Sequence, residues 1–349
     1  MTLQGRKILY ISLTRKGTTA YAAAVARSIS QSDSIIITSK ESQYAFDKAD
    51  HTINTYTVYF SFTYRSLAFM LTSWQLLSEY KSESALVYFP VFHPWNLIIA
   101  IWAGVKNIPV VTTIHDYHTH TGEKNKLIEY LQKIQMSISD YVVFLSQNQR
   151  SLALKNNPSK KSKYKLLIHP LLPVNQKQNL GHERKLKFLF LGRIKEYKGY
   201  RLILEAAQSE KIESITIAGS GDSIQSSNSK ITVINEYLSD SKVLELLSSH
   251  HVLLLPYIEA SQSGILMLGM SANIPMIVSD LPGLDEQANK NICLWISPNV
   301  SSLRAAMECL QEDSDLYHIL KDNMENYSHK YRKRYSESFQ SLLDDLHRL

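Results

Sequence analysis

LFLGRIKEYKGYRLILEAA, Leu189–Ala207, is the stretch from which the fold can be read. An apolar run ends at Gly192, cations follow at Arg193 and Lys198, and Gly199 precedes an amphipathic helical pattern. Strand, turn and helix in that order form the unit from which parallel sheets are wound. In open parallel sheets, ligands bind beyond the carboxyl ends of the strands, which puts Arg193 and Lys198 at a crevice between domains. A guanidinium grips phosphate oxygens as a fork, and an ammonium adds a compact charge. Cations are electrostatically disfavoured at a helix start, so this placement makes sense when an anion arrives.

The same rhythm extends in both directions. Apolar runs at Lys7–Ser12, Ile35–Thr38, Ala85–Phe89, Val110–Thr113 and Tyr141–Leu145 alternate with helical patterns such as Tyr21–Ile29 and Leu67–Tyr80. A second series follows at Lys187–Leu191, Ser214–Ala218, Ile231–Ile234, Val252–Leu255, Met276–Ser279 and Ile292–Ile296. Two series of buried strands alternating with helices predict an α/β chain of two doubly wound, Rossmann-like domains facing across a cleft. Pro170, Pro173 and the polar VNQKQNLGHER interrupt the rhythm. The expected layout is therefore residues 1–172, a hinge at 173–184, a second domain at 185–325 and a terminal helix at 326–349. That helix either packs on its own domain or crosses back to the first.

Composition narrows the classes of function. With 44% hydrophobic and 20% charged residues, the chain can bury full cores. Two cysteines, Cys293 and Cys309, cannot make a disulfide framework, which favours a reducing, cytoplasmic setting. MTLQGRKILYIS reads as lacking a signal peptide's apolar core, and Leu97–Val105, the longest uncharged apolar run, is roughly half a membrane span. The net charge is 38 − 32 = +6 and is unevenly spread. Tyr141–His182 holds no Asp or Glu but carries Arg150, Lys155, Lys160, Lys161, Lys163, Lys165 and Lys177. Such a stretch is either a solvated surface or a lure for an anionic partner, such as the inner face of a plasma membrane or a lipid diphosphate. No nucleic-acid-binding motif accompanies these lysines, so nucleic acid is not expected as a partner.

Gly192-Arg193, four residues, Lys198-Gly199 and the apolar helix together resemble the signature of retaining family-4-type glycosyltransferases of the GT-B architecture. Further matches follow in order. Ile217–Asp222 resembles that family's strand and Gly-x-Gly turn, at Gly219, and Asn235–Leu238, with Glu236 and Tyr237, stands where the backbone frames the nucleotide base. HHVLLLPY, ending Pro256-Tyr257, is similar to the strand leading into the donor loop, and Asn273–Asp280 and Pro282–Glu286 resemble the closing strand and turn.

The donor loop departs from the pattern. The family carries two glutamates with seven residues between them, and spacing places them at Ala260 and Leu268, so neither is present. Glu259 stands one residue early and is the candidate substitute for the first. Ser263 and Gly264 open an apolar helix whose first amides, through Ile265, make a diphosphate cradle. This opening resembles a branch of bacterial surface-polysaccharide transferases.

In the N-terminal half, VVTTIHDYHTHTGEK (Val110–Lys124) puts three histidines and two acids directly after a strand. His115, His118 and His120 match no common zinc spacing, so no metal site is expected. By the resemblance, His115 and Asp116 face the donor sugar, with His120 and Glu123 nearer the acceptor. Gly17, in the first strand-to-helix turn, either lets the backbone approach the donor or is a plain turn glycine. His93, Trp95 and Asn96 either line the acceptor side or belong to the core.

The expected reaction is transfer of a glycosyl unit from a nucleotide diphosphate sugar, UDP- or GDP-linked, to a hydroxyl of a glycan or lipid-linked glycan. The nucleotide-sugar is a co-substrate and no cofactor is expected. Charge building on the departing diphosphate would be met by Arg193, Lys198 and the helix amides. The resemblance implies retention of configuration. A nucleotide-sugar epimerase on the same scaffold and a catalytically silent partner subunit are the competing readings.

Overall fold

The computed structural model describes residues 7–13, 18–29, 34–39, 52–55, 64–80, 85–117, 125–174, 180–183 and 185–346. By contacts the chain divides into two compact units, residues 1–170 with 334–349, and residues 171–333.

The first unit runs β1 (Lys7–Ser12), α1 (Thr18–Ala26), β2 (Ser34–Ser39), β3 (Thr52–Thr55), α2 (Tyr64–Glu79), β4 (Ala85–Phe89), α3 (Asn96–Val105), β5 (Val110–Ile114), α4 (Lys126–Ile138), β6 (Tyr141–Phe144), α5 (Gln147–Asn156) and β7 (Tyr164–Leu166). Its seven strands pair in the order β3-β2-β1-β4-β5-β6-β7. Every pairing is parallel. Residues 8–11 and 85–89 are buried on both faces of the sheet, as continuous apolar strands in a doubly covered parallel sheet must be. The helices begin where the sequence supplies caps. Asn125 accepts from the Ile128 amide ahead of α4, and Ser146 accepts from Gln149 ahead of α5.

The second unit runs β8 (Lys187–Leu191), α6 (Tyr200–Ala206), β9 (Ser214–Ala218), β10 (Ile231–Ile234), α7 (Asp240–Ser249), β11 (Val252–Leu255), α8 (Gly264–Ala272), β12 (Met276–Ser279), β13 (Cys293–Ile296) and α9 (Val300–Glu312). Its strands pair in the order β10-β9-β8-β11-β12-β13, again all parallel. The α/β, doubly wound expectation therefore holds for both units. In each sheet the order reverses once, between β1 and β4 and between β8 and β11. Those reversals are the switch points at which open parallel sheets hold ligands.

Helix α10 (Ser314–Leu346) serves both units. Its first half buries Tyr317 and Leu320 with the second core. Its last turns place Tyr335, Phe339, Leu342, Leu343 and Leu346 in the first core, beside Ile8, Tyr10 and Tyr21. That spacing is one helical stripe. Each such side chain contributes about 1.5–3 kcal/mol on burial, enough to hold the helix end on that core. The Tyr335 hydroxyl also accepts from Ser28 at 3.2 Å, and Lys165 pairs with Asp345 at 2.8 Å.

Two short edge strands have no counterpart among the apolar runs of the sequence. β3 is TINT and β7 is YKL, half polar and only four and three residues long. Cys293 is buried and Cys309 exposed, and both are free thiols. Among the described residues no helix is long and apolar enough to cross a membrane.

Candidate active site

The second switch point is built from main chain packed against main chain. After β8 the chain passes Gly192 and Arg193 and makes a short 3-10 turn at Glu196–Lys198 that closes on Gly199. Gly199 lies at φ 75°, and a Cβ there would land on the Pro256 carbonyl oxygen at the end of β11. No other residue fits both the angle and the approach. Gly219 likewise carries φ 144° with its open side against the Gly192 carbonyl. The loops after β8 and β9 are thus stitched together. Gly192 N donates to Ala218 O at 3.0 Å, Ile194 N to Ser220 O at 3.0 Å, and Asp222 N to Ile194 O at 2.8 Å.

This scaffold holds the two cations differently. Arg193 is exposed, with its guanidinium 5.9 Å from the Tyr197 ring centre. The Lys198 ammonium stands 3.7 Å from the centre of the Tyr257 ring, a cation–π contact on a fully buried phenol. Burial pushes the Tyr257 hydroxyl well above its ordinary pKa, so it stays protonated, and it shares a 3.0 Å hydrogen bond with Ser263 Oγ.

Ser263 caps α8, its Oγ accepting from the Leu266 amide at 3.2 Å. Its own amide is already used, donating to Gln287 Oε1 at 2.7 Å. Gln287 is buried and fixes the loop at that point. The amides left at the helix start are those of Gly264 and Ile265, which have no hydrogen-bond acceptor among the described residues. The cradle is therefore narrower than Ser263–Ile265. Ile265 lies against Gly192, since a Cβ on that glycine would meet Ile265 Cγ1 at 3.6 Å. The loop after β8 and the start of α8 are thus neighbours, through Gly192 against Ile265 and through Lys198 over the Tyr257 ring that bonds Ser263.

On the other side of β8, Asn235 ties the loops after β9 and β10 together. It accepts from Gly221 N at 3.1 Å and donates to Asp222 O at 2.9 Å. Glu236 and Tyr237 follow on the exposed edge, with Tyr237 57% exposed. Lys195 pairs with Asp222 at 2.6 Å and closes the turn. Glu259 is half-buried, its amide 3.3 Å from the Tyr197 carbonyl. Sequence reasoning gave none of Tyr257, Gln287, Lys195 and Asn235 a role of its own. All four lie within or directly beside the stretches that carry the resemblance, Lys195 between Arg193 and Lys198, Asn235 at the head of Asn235–Leu238, Tyr257 at the end of HHVLLLPY and Gln287 next to Glu286.

In the first unit, His115 and Asp116 follow β5. His115 Nε2 lies 3.2 Å from the Pro90 carbonyl at the end of β4, and its ring meets Tyr21 edge-on at 4.5 Å. Tyr21 also packs on His169 at 5.1 Å. Burial lowers the pKa of both imidazoles, that of His169 to about 4, so both are neutral at pH 7. The turn is pinned by Gln132 donating to Asp116 O at 2.8 Å and Tyr117 N donating to Gln149 at 2.8 Å. Asn96 is buried with its amide donating to Val91 O at 3.0 Å, and Trp95 is buried beside it. Gly17, His118, His120 and Glu123 lie outside the described residues. Among the described residues no cluster of His, Cys, Asp and Glu is arranged to hold a metal ion.

Residues 185–313 match the family Glycosyl transferases group 1. This group 1 segment contains the whole strand-end arrangement of the second unit. No protein of curated function matches the chain by sequence. Among solved structures, HepE of Anabaena in complex with UDP and glucose superposes with a TM-score of 0.74 at 12% identity, covering 99% of this chain and 100% of that one. Sucrose-phosphate synthase of Thermosynechococcus elongatus gives 0.71 at 13% identity, over 98% and 99% of the two chains. UDP-GlcNAc 2-epimerase of Neisseria meningitidis gives 0.59 at 14% identity, over 98% and 100%. At these identities the likeness extends to the fold.

Proposed function

We propose that the protein is a retaining, metal-independent glycosyltransferase that moves a hexosyl unit from a UDP-sugar to a hydroxyl of a glycan or lipid-linked glycan in surface polysaccharide synthesis. The observation that carries this reading is the packing of the Gly192–Lys198 turn, with its two cations, against the start of α8, where the Gly264 and Ile265 amides have no acceptor among the described residues. The arrangement suits a diphosphate, because two fixed cations and a helix start face charge that grows as the sugar leaves. They take the part that Mg²⁺ plays elsewhere. UDP is favoured over GDP because the HepE structure holds UDP.

In this reading Gly192, Gly219, Glu236 and Tyr237 frame the nucleotide, and Glu259 takes the place of the absent sugar-binding carboxylate. His115 and Asp116 face the donor sugar, and Gly17, His120 and Glu123 complete the donor and acceptor sides. His115 is neutral and holds the Pro90 carbonyl, so it acts as a polar wall rather than a charge. A thermal-shift panel of UDP, GDP and their sugars tests the assignment. UDP ligands at about a hundred times Kd should stabilise the second unit by about 2.7 kcal/mol. No shift with any nucleotide would leave a silent homologue. The likeness to an epimerase makes the second control necessary: consumption of UDP-sugar without any acceptor would favour that chemistry.

The same reading places the enzyme on the cytoplasmic face of a membrane. Support comes from three adjoining helices rather than from the lysine-rich stretch. Leu71 and Trp74 of α2, Ile101 and Val105 of α3, and Leu127 and Tyr130 of α4 are each more than half exposed. Exposed Lys106, Lys126 and Lys133 stand among them, with Glu79 and Glu129 as the acids of these helices. Apolar and aromatic side chains with basic neighbours suit an anionic lipid surface. Co-sedimentation with phosphatidylglycerol vesicles, and its loss in a Trp74→Ala/Ile101→Ser variant, would bear this out. Equal sedimentation with neutral phosphatidylcholine would reject it.

A further inference from the structure

The loop that enters α8 is braced by the turn that follows β12. Asp280 N donates to Ile296 O at 2.8 Å, which ties the head of this turn to β13. The chain then coils tightly over residues 281–288. Leu284 N donates to Leu281 O at 3.1 Å, Gln287 N to Leu284 O at 3.1 Å and Ala288 N to Leu284 O at 3.0 Å. Leu284, Gln287 and Ala288 are buried, so the turn is packed into the second unit rather than hung on its surface.

This turn grips the donor loop at two points. Gly283 lies at φ 98°, and a Cβ there would stand 2.1 Å from the Ser261 carbonyl oxygen, so main chain passes against main chain. At Ser263 the grip is a side chain's. Gln287 Oε1 accepts from Ser263 N at 2.7 Å, and Gln287 Nε2 lies 3.5 Å from Ser263 O. Ser263 O also accepts from Met267 N at 3.3 Å, and Ser263 Oγ bonds to the Tyr257 hydroxyl and the Leu266 amide. Every polar atom of Ser263 is thus engaged within the protein. The amides of α8 without an acceptor among the described residues are the next two, of Gly264 and Ile265.

The residue type at position 287 fits this arrangement. A helix start carries partial positive charge, which suits it to phosphate oxygens. A neutral side-chain amide accepts from Ser263 N without cancelling that charge, whereas a carboxylate would bring a negative charge to the same place. An apolar side chain would leave a buried amide without an acceptor, and the loop would have to move to satisfy it. We infer that Gln287 is a positioning residue for the donor: held by its turn, it fixes Ser263 and thereby sets the Gly264 and Ile265 amides where the diphosphate meets them. The inference rests on the donor-site reading above and adds to it a residue that acts through Ser263 rather than on the ligand.

Calorimetry with UDP and UMP on the full chain tests this role, with thermal melting as the control for folding. UMP lacks the second phosphate, so the ratio of the two affinities reports the hold on that group, whatever fraction of a sample is folded. In the unaltered protein UDP should bind at least about tenfold tighter than UMP. Gln287→Met keeps the bulk and removes the acceptor, while Gln287→Glu keeps the acceptor and adds charge. Each should lower the preference for UDP at least about fivefold and leave UMP affinity unchanged. The Glu variant carries the test even if the Met variant does not fold. Parallel weakening of UDP and UMP, or an unchanged preference in either folded variant, overturns the role. Unaltered protein that binds no nucleotide, or UDP no tighter than UMP, defeats the donor-site reading itself and this inference with it.

Discussion

At the carboxyl edge of the second sheet, the Lys198 ammonium stands 3.7 Å over Tyr257, and the exposed Arg193 holds its guanidinium 5.9 Å from the Tyr197 ring centre. At the same edge of the first sheet, His115 and His169 close on the buried Tyr21 ring at 4.5 and 5.1 Å. Both sheets wind in the same way and reverse once. One edge gathers permanent positive charge next to a helix start whose first two amides have no acceptor among the described residues. The other holds two imidazoles, His169 buried and His115 partly so, whose pKa values burial lowers so that they remain neutral. The parallel sheet supplies the place for a ligand, and the burial of the loop residues decides the charge that the ligand meets.

The largest way to break this comparison is to remove the cation. Lys198→Ala should lower kcat/KM about a hundredfold or more, on the order of 3 kcal/mol, with an unchanged melting temperature. Tyr257→Phe sharpens the point. It keeps the ring under the ammonium and removes only the bond to Ser263, a loss of about 1 kcal/mol or about fivefold. Steady-state kinetics of the two purified variants measures both. Equal damage would mean that the Ser263 bond, not the charge, organises the edge.

The contrast also explains what could be read beforehand. Strands such as KFLFL and ALVYF are apolar throughout because both faces of the sheet are covered, and a covered strand announces itself. β3 and β7 stand at sheet edges, where half-polar TINT and YKL suffice, so composition hides them. Arg193, Lys198 and Gly199 were legible because a strand end followed by cations and a glycine has few other uses. Gln287 was not, since its bond to the Ser263 amide joins residues 24 apart in sequence through loops whose path no periodicity predicts. The same holds for His169, which meets Tyr21 only after the sheet has formed.

The neutral edge is tested by acid. His169 is 5% exposed, and its Nδ1–H donates to the Pro170 carbonyl at 2.8 Å. Burial pulls its folded pKa down to about 4, below the 6.5 of an imidazole in water. Between those two values the unfolded chain binds a proton that the folded chain refuses, so stability falls as pH drops from 6.5 towards 4 and levels off below. The full window amounts to roughly 3 kcal/mol, at 1.36 kcal/mol per unit. His115, lowered in the same direction, adds to the slope. Trp74, Trp95 and Trp102 all belong to the first unit, so urea unfolding by tryptophan fluorescence in a Trp295→Phe background reports on that unit alone. His169→Gln should flatten the loss between pH 6.5 and 4, even if it lowers stability at pH 7.5. Parallel pH profiles for the two proteins would mean that His169 titrates freely and that the first edge is not the dry, uncharged wall described above.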